Sequence, residues 1–171
     1  MGCSTRGWNV TEIAFDVVGL PAPQGSKSAY VRGGRAVVVD GSSKPGREKH
    51  ARWRADVTTA ARAAAQGVTL TGPVQVTIEF FFALPKSDPH RVRHVTTPDV
   101  DKAARSVLDS LTNSAIIRDD SQVFALLAYK HYALDGHFVG ARIRVEDFSA
   151  LEAADRDARK ARARELRRAR A

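Results

Sequence analysis

The segment PDVDKAARSVLDSLTN, residues 98–113, combines a hydrophobic helical face with a row of charges. Its apolar residues recur at the period of an α-helix, about 3.6 residues, and predict one buried stripe. The stripe comprises Val100, Ala103, Ala104, Val107, Leu108 and Leu111. Proline suits the first position of a helix, and Thr97 before it has a side chain able to cap. We therefore predict a helix over residues 98–113 with Thr97 as its cap.

Three further elements are predicted upstream of this helix. Residues 11–20 alternate between apolar and polar positions, which is typical of a strand. Residues 29–40 have the pattern of a hairpin with a glycine pair at its turn. Residues 47–66 are rich in alanine and predict a helix that ends at Gly67. The apolar face of that helix comprises Trp53, Val57, Ala60, Ala61 and Ala64.

Strands are predicted on both sides of the charged helix. Residues 73–85 form the most apolar strand pattern, and the dense end at 80–82 predicts burial on both faces. Residues 122–132 and 137–146 are expected to form an antiparallel pair around 133–136. The order strand, hairpin, helix, strand, helix and two strands predicts an α+β fold, a mixed β-sheet with helices packed on it.

The chain divides into three parts. Residues 1–10 are polar and are expected to be a flexible N-terminus. Residues 11–148 form one domain, since a chain of 171 residues with 43% hydrophobic composition can build a single core. Residues 149–171 form an Arg- and Ala-rich basic tail, which is expected to be helical or disordered. The tail either adds non-specific DNA affinity or serves only to keep the chain soluble.

The charge balance narrows the class of partner. A formal net charge of +8 favours a polyanion, and nucleic acid is preferred over an anionic membrane surface. No stretch of about 18 apolar residues is present, so no membrane span is expected. The start of the sequence lacks the apolar segment of a secretory signal. The single cysteine, Cys3, excludes an internal disulfide, and we expect a protein of the reducing cytoplasm.

The charged flank of the helix allows two interpretations. Asp101, Arg105 and Asp109 are spaced four residues apart and so line one side of the helix, away from the apolar stripe. Asp99 lies in the first turn, where the helix dipole favours negative charge. These residues could simply form ion pairs one turn apart, each worth a few tenths of a kcal/mol. They could instead form part of a metal site.

A second acidic pair, Asp119 and Asp120, favours the metal site. The helix carries the chain about 18 Å from Asp101 to Asn113 at roughly 1.5 Å per residue. The seven residue-to-residue steps from Asn113 to Asp120 can span up to about 23 Å, so the chain can return beside Asp99 and Asp101. Four carboxylates in one place need a cation, and oxygen ligands select Mg²⁺ or Mn²⁺. Such a metal would suit a nuclease.

Basic side chains in the loops could hold a phosphate backbone above the acids. Each of them taken alone could equally be a solvated surface residue. These candidates are Lys27, Lys44 and Arg47 near the early loops, and Lys86, Arg91 and Arg93 in the loop before the charged helix. Two other patterns favour structural roles. His90 and His94 lie in a proline-containing loop with no cysteine partner, and Phe80 to Phe82 suit core packing better than base stacking.

The stretch PDVDKAARSVLDSLTNSAIIRDDSQVFALLAYK, residues 98–130, resembles the core of the RusA family of Holliday-junction resolvases, which is common in phages. The matching parts are Asp99, Asp101, the run VLDSL and the run DDSQV. The early LPAPQGSK is similar to the proline-rich start of that family, and the resemblance covers residues 13–145. It implies a mixed sheet with two packed helices, with the basic tail outside the family core.

The resemblance also implies a mechanism and partners. It implies a homodimer that cuts four-way DNA junctions with Mg²⁺, or Mn²⁺ as a substitute, held at Asp99, Asp101 and Asp120. Asp119 is adjacent and could assist. The usual lysine of the family is replaced here by Arg105, and Lys102 follows Asp101 directly. Our hypothesis is that Arg105 stabilises phosphate charge, since a guanidinium does not lose its proton, with Lys102 as the alternative.

We therefore expect a divalent-metal-dependent structure-specific endodeoxyribonuclease that acts on branched DNA in the cytoplasm, or in the host cytoplasm if a phage encodes it. Two alternatives stay open. The protein could be a nuclease for flaps or forks. It could also be a non-catalytic DNA-binding protein whose acids form structural pairs.

Overall fold

A computed structural model describes residues 11–25, 27–40, 43–134 and 137–168. The predicted flexible N-terminus, residues 1–10, lies outside these ranges. The elements are β1 (Thr11–Val18), β2 (Lys27–Arg32), β3 (Arg35–Asp40), α1 (Lys44–Ala65), β4 (Val74–Phe82), α2 (Val100–Ser114), the 3₁₀ turn Asp120–Gln122, β5 (Val123–Tyr132), β6 (Gly140–Asp147) and α3 (Ser149–Arg168). Their types and order confirm the predicted α+β fold with a mixed sheet.

The main sheet has the strand order β1-β6-β4-β5. Strand β6 runs antiparallel to both of its neighbours, so that Ile143 lies opposite Phe15 on one side and Ile78 on the other. Strand β5 runs parallel to β4, with Ala128 opposite Ile78. A parallel pair needs a crossover connection, and the segment containing α2 supplies it.

The expected antiparallel pairing of residues 122–132 with 137–146 is therefore wrong. Strand β6 carries Ala141, Ile143 and Val145, all fully buried, and lies between two strands in the middle of the sheet. Strand β5 leaves Phe124 and Leu126 exposed and lies at the edge. Although β5 and β6 are neighbours in sequence, the more buried β6 lies in the middle of the sheet and the more exposed β5 lies at its edge.

The predicted hairpin forms a two-stranded sheet of its own from β2 and β3. Its turn has a positive φ at both Gly33 (58°) and Gly34 (73°). Two consecutive positive φ angles belong to the tight hairpin turns that match strand twist, and glycine adopts them without a steric penalty. The glycine pair thus fixes the hairpin as the sequence predicts.

Helices α1 and α2 contact each other and cover one face of the main sheet. Helix α1 buries Trp53, Val57, Ala61 and Ala65. It starts at Lys44, where Ser43 accepts a hydrogen bond from the amide of Gly46 (3.3 Å). Its cap at the other end is Gln66, with φ 49°, so the expectation that Gly67 ends the helix is one residue late.

The buried side of α2 follows the predicted stripe with one exception. Val107, Leu111 and Ala103 are fully buried, and Ala104 is 1% exposed. Val100, by contrast, is 38% exposed and does not join the core. Three serines complete the buried side: Ser106, Ser110 and Ser114. Ser110 can be buried because its hydroxyl donates to the carbonyl oxygen of Ser106 (2.8 Å).

Helix α2 begins later than predicted. Its first residue is Val100, and Asp99 is the N-cap, without a capping hydrogen bond from its side chain. Thr97 is therefore not the cap, and Pro98, which follows a cis peptide bond, is not in the helix. The ammonium of Lys130 on β5 donates to the carbonyl oxygens of Thr96 (2.7 Å) and Pro98 (2.8 Å). These tertiary contacts hold the segment outside the helix.

The tail predicted from residue 149 onward contains helix α3, and none of its described residues is buried. Two ion pairs run along it, Glu152 with Arg156 (3.3 Å) and Asp157 with Lys160 (3.5 Å). Within the described ranges, no helix combines the length and the apolar character needed to cross a membrane.

Candidate active site

A cleft of about 510 Å³ opens where the loop after β1 meets α2 and the 3₁₀ turn. It is lined by Gln24, Gly25, Asp101, Lys102, Arg105, Asp109 and Asp120. Four of the predicted site residues thus share one cavity: Asp101, Lys102, Arg105 and Asp120. The spacing of Asp101, Arg105 and Asp109 places them along the flank of α2, and the chain returns from α2 to bring Asp120 beside them.

The 3₁₀ turn that presents Asp120 is fixed by a capping box. The carboxylate of Asp119 accepts from the amide of Ser121 (2.9 Å), and the side-chain oxygen of Gln122 accepts from the amide of Asp119 (3.2 Å). The amide group of Gln122 also donates to the carbonyl oxygens of Leu70 (3.1 Å) and Gly72 (2.8 Å). The turn is therefore anchored to the body of the protein.

Asp119 has a structural task in this arrangement. Hydrogen bonds from the side chain and the backbone amide of Ser121 lower the pKa of the Asp119 carboxyl. The carboxylate that caps the turn is thus stabilised in its charged form. Asp119 lines a neighbouring cavity of about 340 Å³ together with Arg54, Asp109, Thr112, Asn113 and Asp120.

Asp99 does not line the cleft. Its carboxylate lies 2.7 Å from the ammonium of Lys102, one turn further along α2. The hydrogen bond from Lys102 and its charge lower the pKa of Asp99, and the same contact raises the pKa of Lys102. Lys102 is therefore occupied by Asp99, while Arg105 faces the cleft.

The four candidate carboxylates do not form a single cluster. Among the residues that the structure describes, no group of three or more His, Cys, Asp and Glu side chains is arranged to hold a metal ion. The expected meeting of Asp99, Asp101, Asp119 and Asp120 is not present, because Asp99 pairs with Lys102 and Asp119 caps its turn. The donor type nevertheless suits a hard cation, since the acidic side chains of the cleft offer only oxygen.

Sequence reasoning assigned no role to Gln24, which lines the cleft, or to Arg54 beside it. The side-chain amide of Gln24 donates to a carboxylate oxygen of Asp109 (3.4 Å), and Arg54 Nη2 lies 3.9 Å from the same oxygen. The backbone amide of Gln24 donates to the carbonyl oxygen of Lys102 (3.1 Å), which ties the loop to α2. The motif LPAPQGSK contained a signal for Gln24, whereas nothing in the sequence marked Arg54.

The predicted phosphate-contacting residues are spread over the surface, and the described cleft is lined by none of them. Lys44 and Arg47 are exposed in the first turn of α1. Lys86 and Arg93 are exposed in the loop before α2. In the same loop Arg91 pairs with Asp88 at 3.0 Å. The side chain of Lys27 lies outside the part of the chain that the structure describes.

One of the two loop histidines, His94, and the phenylalanine run are buried. His94 is buried and stacks on Phe82 with ring centres 4.2 Å apart, whereas His90 is exposed. Burial, together with the nearby charge of Lys130, lowers the pKa of His94. Phe80, Phe81 and Phe82 are all buried, as the sequence predicts.

The fold and the cleft define a class: an α+β protein with a surface site in which aspartates stand beside an arginine and a lysine. The family model described as Endodeoxyribonuclease RusA matches residues 23–146, well over half of the chain. The chain therefore belongs to the RusA endodeoxyribonuclease family, as its sequence motifs predict. The match includes every residue that lines the cleft and stops before α3. A search of curated proteins gave no match.

Proposed function

We propose that this protein is a divalent-metal-dependent endonuclease that resolves four-way or otherwise branched DNA junctions by hydrolysing phosphodiester bonds. One observation carries the proposal: in a chain of the RusA family, Asp101 from α2 and Asp120 from the 3₁₀ turn line one cleft with Arg105. Carboxylates beside the fixed positive charge of Arg105 suit a reaction in which negative charge builds up on a phosphate.

Asp101 and Asp120 are the residues that would hold Mg²⁺, with Mn²⁺ as a substitute. When bound, the metal supplies an activated water and charge stabilisation at the scissile phosphate. One carboxylate oxygen of Asp99 contacts Lys102, 2.7 Å away, so Asp99 would have to join these ligands through its other oxygen. Asp119 would act indirectly, because its carboxylate is engaged in holding the turn that presents Asp120.

Arg105 is the residue that would stabilise the charge of the phosphate. It lines the cleft and is exposed on α2. Lys102 lines the same cleft, but its ammonium contacts Asp99, which makes it the weaker candidate. A guanidinium keeps its proton at ordinary pH, so Arg105 would act through charge and hydrogen bonds and not as a proton donor.

A four-way junction has near two-fold symmetry, which favours a homodimer with one cleft for each of two strands. The basic loop side chains, including Lys86 and Arg93, would then contact phosphates outside the cleft. We place this activity in the cytoplasm, or in the host cytoplasm if the protein is encoded by a phage.

The test is cleavage of a four-way junction, a flap, a fork and a linear duplex of matched sequence, with Mg²⁺, Mn²⁺ or EDTA. We expect symmetric cuts in the junction with either metal and none in EDTA. Preferential cutting of the flap or fork would assign a different branched substrate. Binding without cleavage of any substrate would identify a non-catalytic DNA-binding protein and contradict the proposal.

A further inference from the structure

Three cavities follow one another from the cleft onto the surface between α1 and α2. The cleft shares Asp109 and Asp120 with the cavity of about 340 Å³ beside it. That second cavity shares Arg54 and Asn113 with a third, of about 430 Å³. The third is lined by Ala51, Arg54, Ala55, Thr58, Thr59, Arg62 and Asn113. We call the second and third cavities together the α1–α2 groove. It runs outward from the acidic cleft without a break in its lining.

The groove changes in chemistry along its length. Its inner end carries the carboxylates of Asp109, Asp119 and Asp120, of which Asp109 and Asp120 also line the cleft. Its outer part is lined by two arginines, Arg54 and Arg62, together with two threonines and two alanines. Guanidiniums and hydroxyls suit phosphate oxygens, and alanines leave room for a backbone to approach. A ligand that fits is a polyanion that enters the cleft at one end.

Arg54 is held at the junction between the cleft and the groove. Its Nη2 lies 3.9 Å from Asp109, while its Nε is buried and has no hydrogen-bond partner among the described residues. The side chain as a whole is 31% exposed, so its outer N–H groups can donate to a phosphate oxygen. Asp109 holds the guanidinium beside the cleft but leaves part of it available.

Arg62 stands two turns further along α1. Its Nη2 donates to the carbonyl oxygen of Asn113 at the end of α2 (2.8 Å). This contact orients the guanidinium across the groove, and an arginine has further N–H donors to offer. Arg54 and Arg62 are separated by about 12 Å along the helix at roughly 1.5 Å per residue. Successive phosphates on one strand rise by about 3.4 Å along the duplex axis, so two contacts about 12 Å apart fall on different phosphates of that strand.

We propose that the α1–α2 groove binds the phosphate backbone of one DNA strand next to the scissile position, with Arg54 as the inner contact and Arg62 as the outer contact. This proposal rests on the proposed nuclease function and adds the path of the strand. Both contacts are made to phosphates, so they raise affinity equally for all base sequences. The side-chain contacts of the groove therefore position the DNA and leave the choice of junction to other surfaces.

The test compares Arg54→Ala, Arg62→Ala and the conservative Arg54→Lys in the full chain. The matched control is Arg144→Ala, because Arg144 is also paired with a carboxylate, Glu12 at 3.6 Å, but points from β6 to the sheet face away from the helices. The affinity for a fixed four-way junction and a duplex is measured in EDTA over a range of salt concentrations. Thermal unfolding confirms that each variant is folded.

Each alanine variant in the groove should weaken binding of both DNAs and reduce the slope of log affinity against log salt by about 0.9. Arg54→Lys should keep most of the slope, and Arg144→Ala should match the wild type. Unchanged slopes in Arg54→Ala and Arg62→Ala, or an equal loss in Arg144→Ala, would overturn the groove. Because binding is measured without metal, the result is independent of cleavage. If the wild-type protein cleaves the junction but the slopes of the alanine variants are unchanged, the groove alone is rejected. If the slopes of the alanine variants are reduced but the wild-type protein cleaves nothing, only the nuclease function is rejected.

Discussion

Helices α2 and α3 are both rich in charge, but only one of them is attached to the core. Helix α2 buries seven of its 15 residues, whereas α3 buries none of its 20 described residues. The charged side chains of α2 meet Asp120 of the 3₁₀ turn and the amide side chain of Gln24 in one cleft. The ion pairs Glu152–Arg156 and Asp157–Lys160 of α3 join residues within the helix. A charged residue becomes part of a site where a hydrophobic face fixes its position.

The two helices should differ most in what their leucines contribute to stability. Leu111 of α2 is fully buried, and Leu166 of α3 is 57% exposed. We expect Leu111→Ala to lower the free energy of unfolding by about 3 kcal/mol, because it removes core contacts and leaves a cavity. Leu166→Ala should change it by less than about 0.5 kcal/mol. Urea unfolding of both variants measures the difference, and similar losses would show that α3 is packed after all.

The arginines of the two helices should differ in their effect on cleavage. We expect Arg105→Ala to slow junction cleavage at saturating DNA by roughly 100-fold, as the loss of one fixed donor to a developing charge does in other enzymes. Arg159→Ala in α3 is the control and should leave the rate unchanged. Cleavage at the wild-type rate by Arg105→Ala would show that Arg105 does not stabilise the phosphate charge, and Lys102 would become the candidate for that role.

The charges of α3 should matter for affinity and not for chemistry. Arg164 and Arg167 are spaced three residues apart and lie on one side of the helix. Replacing both with glutamine should reduce the salt dependence of junction binding by up to about 1.8 in slope and leave the maximal cleavage rate intact. Unchanged affinity at both low and high salt would identify α3 as a solubilising segment.

The contrast between packed and exposed residues recurs on a small scale at His94 and His90. Burial lowers the pKa of His94 in the folded protein, so the unfolded state binds the proton more readily. The contribution of the neutral imidazole to stability is therefore complete above the unfolded pKa and is lost as the pH falls through the lower folded value. His94→Phe should make stability less dependent on pH below about 6.5, the ordinary histidine value.

His90→Gln is the matched control, because His90 is exposed in the same loop. Unfolding midpoints in urea measured from pH 7.5 to about pH 5 should keep the wild-type pH dependence in this variant. An identical pH dependence in His94→Phe and the wild type would contradict the burial effect.

The spacing of apolar and glycine residues predicted most of the structural features that depend on local sequence. The apolar stripe of α2, the glycine turn of the hairpin and the buried end of β4 all follow from the spacing of a few residues. The partner of β5 could not be predicted in this way, because alternation identifies the inner face of a strand but not its neighbour. The start of α2 depends on Lys130, a residue 30 positions away that binds Thr96 and Pro98.

The candidate site was predictable to a similar degree. The spacing of Asp101 and Arg105 placed both residues on one flank of α2, and the chain length up to Asp120 allowed that residue to return beside Asp101. The pairing of Asp99 with Lys102 and the capping role of Asp119 depend on side-chain geometry that spacing does not specify. Arg54 reaches the site only through the packing of α1 on α2, so no local pattern could identify it.

The assignment of the cleft as a metal-dependent active site depends above all on Asp120, which lies on a different element from Asp101. Asp120→Asn keeps the size of the side chain and removes its charge. Junction cleavage with Mg²⁺ and junction binding in EDTA should be measured for this variant beside the wild type. We predict that cleavage is lost while binding is retained. Cleavage at the wild-type rate would contradict the assignment of this cleft as the active site.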